Sequence, residues 1–173
     1  MTSVGLSIGH SLCTLRQWRE GDEQSLAANA NNKKIWMNLR DVFPFPYTLK
    51  NAVLWIELSK ESKTNFAIDV DGQAVGDIAL TMQGDLMRRS AELGYWLGEA
   101  YWGRGIMTEA VRAMTDYAFQ SFDINRVFAG ILEYNAASAR VLEKNGYVCE
   151  GRLRQACSKE GKLYDQLIFA TVR

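Results

Sequence analysis

Between Ser90 and Leu132 the sequence changes period twice. Ser90 to Leu97 reads as a strand. From Arg104 to about Ser121 the apolar residues Ile106, Ala110, Ala113, Met114, Tyr117 and Ala118 fall three or four apart, the spacing of one helix face. Arg126 to Leu132 returns to a short strand. A strand, a helix and a second strand in this order form a crossover that sets the two strands parallel in one sheet. Earlier strands are joined differently. Phe66 to Val70 and Ala74 to Leu80 flank Asp71-Gly72, a two-residue hairpin signal that makes neighbours antiparallel.

The rest of the chain fits around this frame. Ser11 to Trp18 is expected as a first strand, with Leu12, Thr14 and Arg16 on one face and Cys13, Leu15 and Gln17 on the other. Asp22 is the expected N-cap of a helix to about Asn29, and Lys33 to Leu39 a second short helix. Asp41 to Tyr47 contains Pro44 and Pro46, the only prolines, and is irregular because each pushes its predecessor out of the helical region. Thr48 caps a helix to about Lys60, with Ala52, Trp55, Ile56 and Ser59 on one face. Gly84-Asp85 marks a turn. Asn135 to Asn145 is a helix ended by Gly146, and Val148 to Arg154 and Leu163 to Val172 are strands around Gly161. The fold class is α/β (α+β) in one domain spanning residues 1–173, with a mixed sheet that is antiparallel early and has a β-α-β crossover late.

Composition narrows the functions. The chain of 173 residues has 20 basic and 20 acidic residues, so it lacks the cationic excess of a nucleic-acid binder. No apolar run is long enough to span a bilayer, and Met1 to His10 has neither the basic nor the apolar region of an export signal. Cys13, Cys149 and Cys157 are odd in number and lack CxxC pairing, which argues against a disulfide framework and a zinc site. His10, the one histidine, anchors no metal cluster. The expected address is cytoplasmic and the expected metal content is none.

The chemistry-bearing segment is Glu92 to Ala110, ELGYWLGEAYWGRGIMTEA. A strand enters a loop with Gly103-Arg104-Gly105, and a helix follows at once. Glycines let the backbone approach a ligand closely, and the free first N–H groups of a helix bind anionic oxygens. A glycine turn that only lets the helix pack is the competing reading. No Gly-Lys-Ser/Thr follows, which excludes a Walker loop. Thr108 stands where a dinucleotide-binding fingerprint needs its third glycine.

The run Gly103-Arg104-Gly105-Ile106-Met107-Thr108-Glu109-Ala110 closely resembles the acetyl-CoA signature of the GNAT superfamily of N-acetyltransferases. Within it the chain looks like the RimJ/RimL-type branch, which acetylates protein N-termini and includes small-amine acetylases. Further matching blocks are Asn38-Leu39-Arg40-Asp41 with Phe43 to Tyr47, Ala91 to Gly98, and Asn135-Ala136-Ala137-Ser138 with Arg140 to Tyr147. The resemblance runs in order from about Cys13 to the end of the chain.

That resemblance implies a mostly antiparallel sheet of about seven strands, splayed between the fourth (90–97) and fifth (126–132). It implies acetyl-CoA (coenzyme A) as cofactor and an amine as acceptor. Tyr95, Trp96 and Leu97 would expose backbone groups to the pantetheine arm, and the amides of Gly103, Arg104, Gly105, Ile106, Met107 and Thr108 would hold the pyrophosphate. An N–H near Leu97 would polarise the thioester carbonyl, Asn135 would bond the pantetheine, and Ser138 would protonate the leaving thiolate. Arg140 and Lys144 would compensate adenosine phosphates or simply form a solvated helix face. Glu92 is the candidate general base, with an ordinary strand carboxylate as the other reading. Glu109 is read as stabilising the helix dipole or packing. Trp36, Asn38, Arg40, Asp41, Phe43, Phe45 and Tyr47, with the turn from Gly161 to Tyr164, would recognise the acceptor or pack as ordinary loops; Asp165 is equally structural or amine-binding.

Two positions depart from the family pattern. Ala100 stands where many members carry Gln or Arg, and Leu142 where many carry a tyrosine acid. The acceptor is expected to be a peptide N-terminus. The alternatives are a small amine, such as a polyamine or antibiotic, and a silent acyl-CoA-binding sensor. A homodimer is common in the family, but no segment of this sequence marks an interface.

Overall fold

The computed structural model describes the backbone of residues 6–7 and residues 13–173 in full. His10, Ser11 and Leu12, which carried expectations above, lie outside the described residues. The elements in order are β1 (Leu6–Ser7), β2 (Cys13–Arg16), α1 (Glu23–Ala30), α2 (Lys33–Trp36), α3 (Leu49–Ser59), β3 (Asn65–Val70), β4 (Gln73–Met82), β5 (Ser90–Leu97), α4 (Ile106–Ser121), β6 (Arg126–Leu132), α5 (Ala136–Lys144), β7 (Val148–Lys159) and β8 (Lys162–Val172). The class is the mixed α/β, mostly antiparallel one expected, with eight strands among the described residues because β1 adds to the seven read from sequence. Two compact units divide the chain: residues up to 79 with 95–113, and 80–94 with 114–173.

In the first unit β1, β2, β3 and β4 pair antiparallel in chain order. The β3–β4 hairpin turns at Asp71 and Gly72, both with positive φ (51° and 84°), as a mirror-type two-residue turn requires. Trp18, Leu26, Ala30, Ile35, Tyr47, Ala52, Ile56, Ala67, Ala74 and Trp96 pack into one apolar cluster. α3 begins as read: the Thr48 hydroxyl accepts from Asn51 N, and the Asn51 side chain accepts from Thr48 N at 2.9 Å, a reciprocal cap. Ala52, Ile56 and Ser59 are buried, the face expected.

α1 starts differently. Asp22 occupies the N-cap position but makes no side-chain cap. Its carboxylate instead takes both Arg16 terminal nitrogens, at 2.7 and 2.8 Å, and the Arg19 N–H at 3.0 Å. A bidentate guanidinium outcompetes a neutral amide for the same oxygens. α2 is shorter than the expected span to Leu39, ending at Trp36.

In the second unit β5 pairs with β6 in parallel, and β6, β8 and β7 follow as antiparallel neighbours. The parallel register is Ser90–Arg126, Ala91–Val127 and Glu92–Phe128; β6 goes on pairing with β8 as far as Leu132–Gln166. Glu92 therefore sits where the two strands fork. β7 extends five residues beyond the expected Arg154, to Lys159. Polar Gln155 at φ 52° lies within a register shift between Leu153 and Cys157, which hides the alternation from the sequence. α5 ends before Gly146 at φ 76°, and Tyr147 buries its ring with its hydroxyl 2.7 Å from Thr115 Oγ1.

Gly76 on β4 is required by a close approach. A Cβ there would lie 2.5 Å from the Trp96 carbonyl oxygen and 3.1 Å from Leu97 Cδ1. Backbone cannot yield as a flexible side chain can, so Gly76→Ala should cost about 1–3 kcal/mol of stability, the range for overpacking. Urea unfolding monitored by circular dichroism checks this, and an unshifted midpoint would contradict the approach described.

Candidate active site

In the first unit β5 ends at Leu97 and the chain passes through one 3-10 turn, Glu99–Tyr101, into the glycine loop. Gly103 and Gly105 both have left-handed φ, 73° and 78°, and the space a Cβ would take beside each is open. Only glycine adopts this conformation without strain. α4 starts at the next residue, Ile106, so its first-turn N–H groups converge on the loop. The Glu109 N–H bonds to Gly105 O at 3.1 Å and closes the first turn. Ile106 and Met107 bury their side chains, leaving their contribution to the loop to the backbone. The Arg104 guanidinium lies over the Tyr101 ring, 5.4 Å from its centroid. The Glu109 carboxylate pairs with Arg112 one turn on, which places it with the helix's own charges.

The edge of β5 follows from alternation. The Gly98 N–H bonds to Val75 O of β4 at 2.7 Å, so the N–H and C=O of Leu97 turn toward the opposite edge. There the Leu97 carbonyl accepts from Trp102 Nε1 at 2.7 Å. The Trp102 indole thus ties the strand end to the loop that precedes α4. Tyr95 is half-buried and Trp96 is buried in the apolar cluster.

The aromatic loop is a built structure rather than loose chain. Trp36 stacks on Phe45 with centroids 5.5 Å apart and donates from Nε1 to Phe43 O at 3.1 Å. Phe43 meets Tyr47 at 4.9 Å and the edge of Trp96 at 5.9 Å. Tyr47 is buried, and its N–H is held by Asn31 Oδ1 at 3.0 Å. The Phe45–Pro46 peptide is cis. Phe45 is exposed, as are Asn38, Arg40 and Asp41. Asn38 turns its amide back to Lys34 O at 2.8 Å.

In the second unit Glu92 is half-buried on β5. Asn135 is the N-cap of α5, and its Oδ1 accepts from Ser138 N at 3.1 Å. Ser138 is buried, Arg140 and Lys144 are exposed, and Leu142 is fully buried in the core. Tyr134, next to Asn135, meets Tyr164 edge-on at 4.9 Å. Burial first, then the neighbouring Tyr164 and Cys157, pushes the Tyr134 phenol upward, so it stays protonated. Asp165 accepts from Gln155 N at 2.8 Å and pairs with Arg152 Nε at 2.6 Å, while Arg152 also meets Glu133. These bonds pin the β7 irregularity and give Asp165 a structural task.

Sequence reading missed Asp77. It lies in the otherwise apolar run AVGDIAL of β4 and is buried, and Trp18 Nε1 donates to it at 3.2 Å. A carboxylate inside an apolar strand was the available signal. Tyr134 was also missed; nothing in its immediate sequence marks the ring partner 30 residues later.

Among the described residues no group of three or more His, Cys, Asp or Glu could hold a metal ion, and no helix is long and apolar enough to cross a membrane. Cys13 is buried, Cys157 half-buried and Cys149 exposed, and none of the three forms a disulfide.

Comparison with known proteins agrees with the order of these elements. The chain is 38% identical over 117 residues to the probable N-acetyltransferase YjcK of Bacillus subtilis, covering 65% of this chain and 64% of that protein. It is 33% identical over 103 residues to the putative ribosomal N-acetyltransferase YdaF of the same organism, covering 60% of this chain and 56% of that one. The matches thus span somewhat less than two thirds of these relatives. Among solved structures, RimL, a ribosomal L7/L12 alpha-N-protein acetyltransferase in complex with coenzyme A, superposes with a TM-score of 0.81 at 22% identity over 97% of both chains, a likeness of fold.

The dual position of Asn135 yields a stability test. Asn135→Ala should lower stability by about 1 kcal/mol through loss of the cap, whereas Asn135→Asp, which keeps an acceptor, should stay within about 0.5 kcal/mol. Equal losses in thermal unfolding would show that the cap is not what Asn135 contributes. Residues 13–148 match the acetyltransferase (GNAT) domain, and the chain belongs to that family.

Proposed function

We propose that this protein transfers an acetyl group from acetyl-CoA to a primary amine, most favourably a peptide or protein N-terminus. The observation that carries the reading is the entry to α4. Two left-handed glycines with open space beside them deliver the chain into a helix whose first amides can hold an anion, within a family match that crosses both compact units. The chain then works as a single acetyltransferase domain. The coenzyme A complex of RimL supports the cofactor, and the ribosomal designation of YdaF supports the acceptor class.

In this reading the amides of Gly103 to Thr108 hold the pyrophosphate, with Arg104 at the loop's surface and Arg140 and Lys144 as cations for the adenosine phosphates. Tyr95 to Leu97 and Asn135 bind the pantetheine arm. The acceptor lies against Trp36, Asn38, Arg40, Phe45, Tyr47 and Tyr164. Glu92, directly or through water, takes the ammonium proton. The neutral amine attacks the thioester carbonyl carbon, and the Leu97 N–H bonds the oxyanion, a contact worth about 3 kcal/mol of barrier. The C–S bond then breaks, and the second proton of the attacking nitrogen passes through Ser138 or water to the thiolate. The products are the N-acetyl amine and free coenzyme A. Leu142 is a buried aliphatic residue, so the acid cannot come from that position. A cytoplasmic address belongs to the same reading.

Calorimetric titration with acetyl-CoA, with NAD and ATP as controls, is the first test. Micromolar binding of acetyl-CoA alone is expected, and its absence would remove the enzyme assignment. Gly105→Val places a β-branched residue at φ 78° and should weaken that binding at least about tenfold, in line with the strain of a left-handed backbone. Transfer to seryl- or alanyl-peptides should exceed transfer to spermidine; the reverse ranking would move the acceptor class to small amines. Replacing Cys149 and Cys157 together by alanine should leave most activity intact, because transfer is direct; complete loss would point to an acyl-cysteine step.

A further inference from the structure

Asp77 is a buried carboxylate bonded by neutral donors. Trp18 Nε1 is shared between Asn65 Oδ1 at 2.8 Å and Asp77 Oδ1 at 3.2 Å. The side chains of Trp55 and Asn65 also hydrogen-bond to the carboxyl. Four separate segments therefore meet on one group: the end of β2 through Trp18, α3 through Trp55, β3 through Asn65 and β4 itself. Burial pushes its pKa up to about 7, while the hydrogen bonds from Trp18, Trp55 and Asn65 hold it down. The nearest titratable neighbour from the aromatic loop is Tyr47, whose phenol is pushed up by burial and then by the charge on Asp77. Arg16 stands in the same row of the sheet, through Arg16–Ala67 and Ala67–Asp77 pairing. Its guanidinium is committed to Asp22 and Asp69, both at 2.7 Å. The charges of α2 and α3, Lys33, Lys34, Lys50, Glu57 and Lys60, are exposed to solvent.

The cluster lies under the acceptor loop. Tyr47 carries Phe43 on its ring, Phe43 carries the Trp36 indole on its carbonyl, and Trp36 stacks on Phe45. Trp55 sits on the helix that begins two residues after Tyr47. We propose that Asp77 is a positioning residue for the acceptor amine: its carboxyl holds Trp18 and Trp55 in the apolar cluster on which Tyr47 and Phe43 pack, and its charge state sets how tightly the aromatic wall above holds the acceptor. This rests on the reading of residues 36–47 as the acceptor wall.

The chemistry is a change in donor count. A carboxylate accepts from all three neighbours at once. On protonation one oxygen becomes a donor that needs an acceptor of its own, and the three bonds lose the charge that strengthened them, so the cluster has to rearrange. Acceptor binding weakens as pH falls through about 7, where the carboxylate is lost.

The test combines spectroscopy with kinetics on the full chain. In 15N-labelled protein the indole signals of Trp18 and Trp55, assigned with Trp18→Phe and Trp55→Phe, should titrate together between pH 5.5 and 8.5. In Asp77→Asn they should be flat. With acetyl-CoA and a seryl octapeptide at pH 8, Asp77→Asn should raise the peptide KM about tenfold, the loss of roughly one hydrogen bond to a charged group. kcat and the KM for acetyl-CoA should stay within about twofold. The ratio of variant to wild-type peptide KM should shrink toward pH 6, where the peptide's own ionisation cancels.

Static indole signals in the wild type would overturn the proposal, and so would a fall in kcat matching the rise in KM. Failure to acetylate the peptide or spermidine would overturn the acetyltransferase reading and this one with it. Normal transfer with an unchanged peptide KM in Asp77→Asn would overturn this one alone. If Asp77→Asn does not fold, Trp55→Phe serves in its place. Removing one donor should move the Trp18 midpoint to higher pH and raise the peptide KM; a static midpoint and KM would reject the idea.

Discussion

The fork after Glu92 sets the conditions for everything else in the site. A buried strand must satisfy the N–H and C=O groups on both its edges. One edge of β5 reaches β4, as the Gly98–Val75 bond shows at its far end, while pairing with β6 is registered only from Ser90 to Glu92. The groups beyond Glu92 on that second edge must look to something other than β6. Leu97 shows how the protein handles one of them: its carbonyl is taken by the Trp102 indole from the loop that follows. The same indole bond fixes where the glycine loop begins. Strand end, loop and the first turn of α4 are thus set by one backbone arithmetic.

Much of this was legible because it depends on local rules. The hairpin at Asp71-Gly72, the Thr48 cap and the bounds of β5 and β6 follow from turn chemistry, capping and period, and the structure has them where the sequence places them. The glycine loop was legible for the same reason: a left-handed backbone needs glycine, and glycine is visible in a sequence. What was not legible depends on partners distant along the chain. Asp22 looked like a cap because its competitor, Arg16, becomes a neighbour only once β2 folds back beside it. The far half of β7 was hidden because Gln155 and the register shift break the alternation, and its pairing is enforced from β8 and by Asp165. Tyr134 and Tyr164 meet only because β6 and β8 are neighbours.

Asp77 belongs to the second kind and shows why an apolar pattern can conceal chemistry. In β4 a charged residue among Ala74, Val75, Ile78 and Leu80 violates the period that identifies the strand. Such a violation persists only where donors from elsewhere compensate the burial, and here they come from three other segments. Two are tryptophan indoles, whose N–H groups themselves need acceptors once their rings enter the core. The carboxylate and the indoles are each other's solution. A hydrophobic residue at 77 would take away the Trp55 acceptor and leave Trp18 with Asn65 alone, and phenylalanines at 18 and 55 would leave the buried charge with only Asn65 to bond it.

That mutual dependence separates rigidity from chemistry in the first unit. The aromatic loop from Trp36 to Tyr47 contains two prolines and no regular hydrogen-bond ladder, so its order has to come from what it rests on. Stacking supplies part: Trp36 on Phe45, Phe43 on Tyr47 and Trp96. Aromatic pairs contribute about 0.5–1.5 kcal/mol each beyond burial and constrain orientation weakly. Hydrogen bonds constrain orientation strongly, and those of this loop are local turns and single side-chain ties, such as Phe43 N–H to the Arg40 carbonyl, Trp36 Nε1 to the Phe43 carbonyl and the Tyr47 N–H to Asn31. The buried Asp77 carboxyl, bonded by Trp18 and Trp55 in the cluster that Tyr47 shares, adds the direction that stacking lacks. The glycine loop at Gly103 and Gly105 needs no such support, because its geometry is written into glycine backbone and a helix end. The aromatic loop is held by side chains, and side chains hold a shape only as well as the groups beneath them.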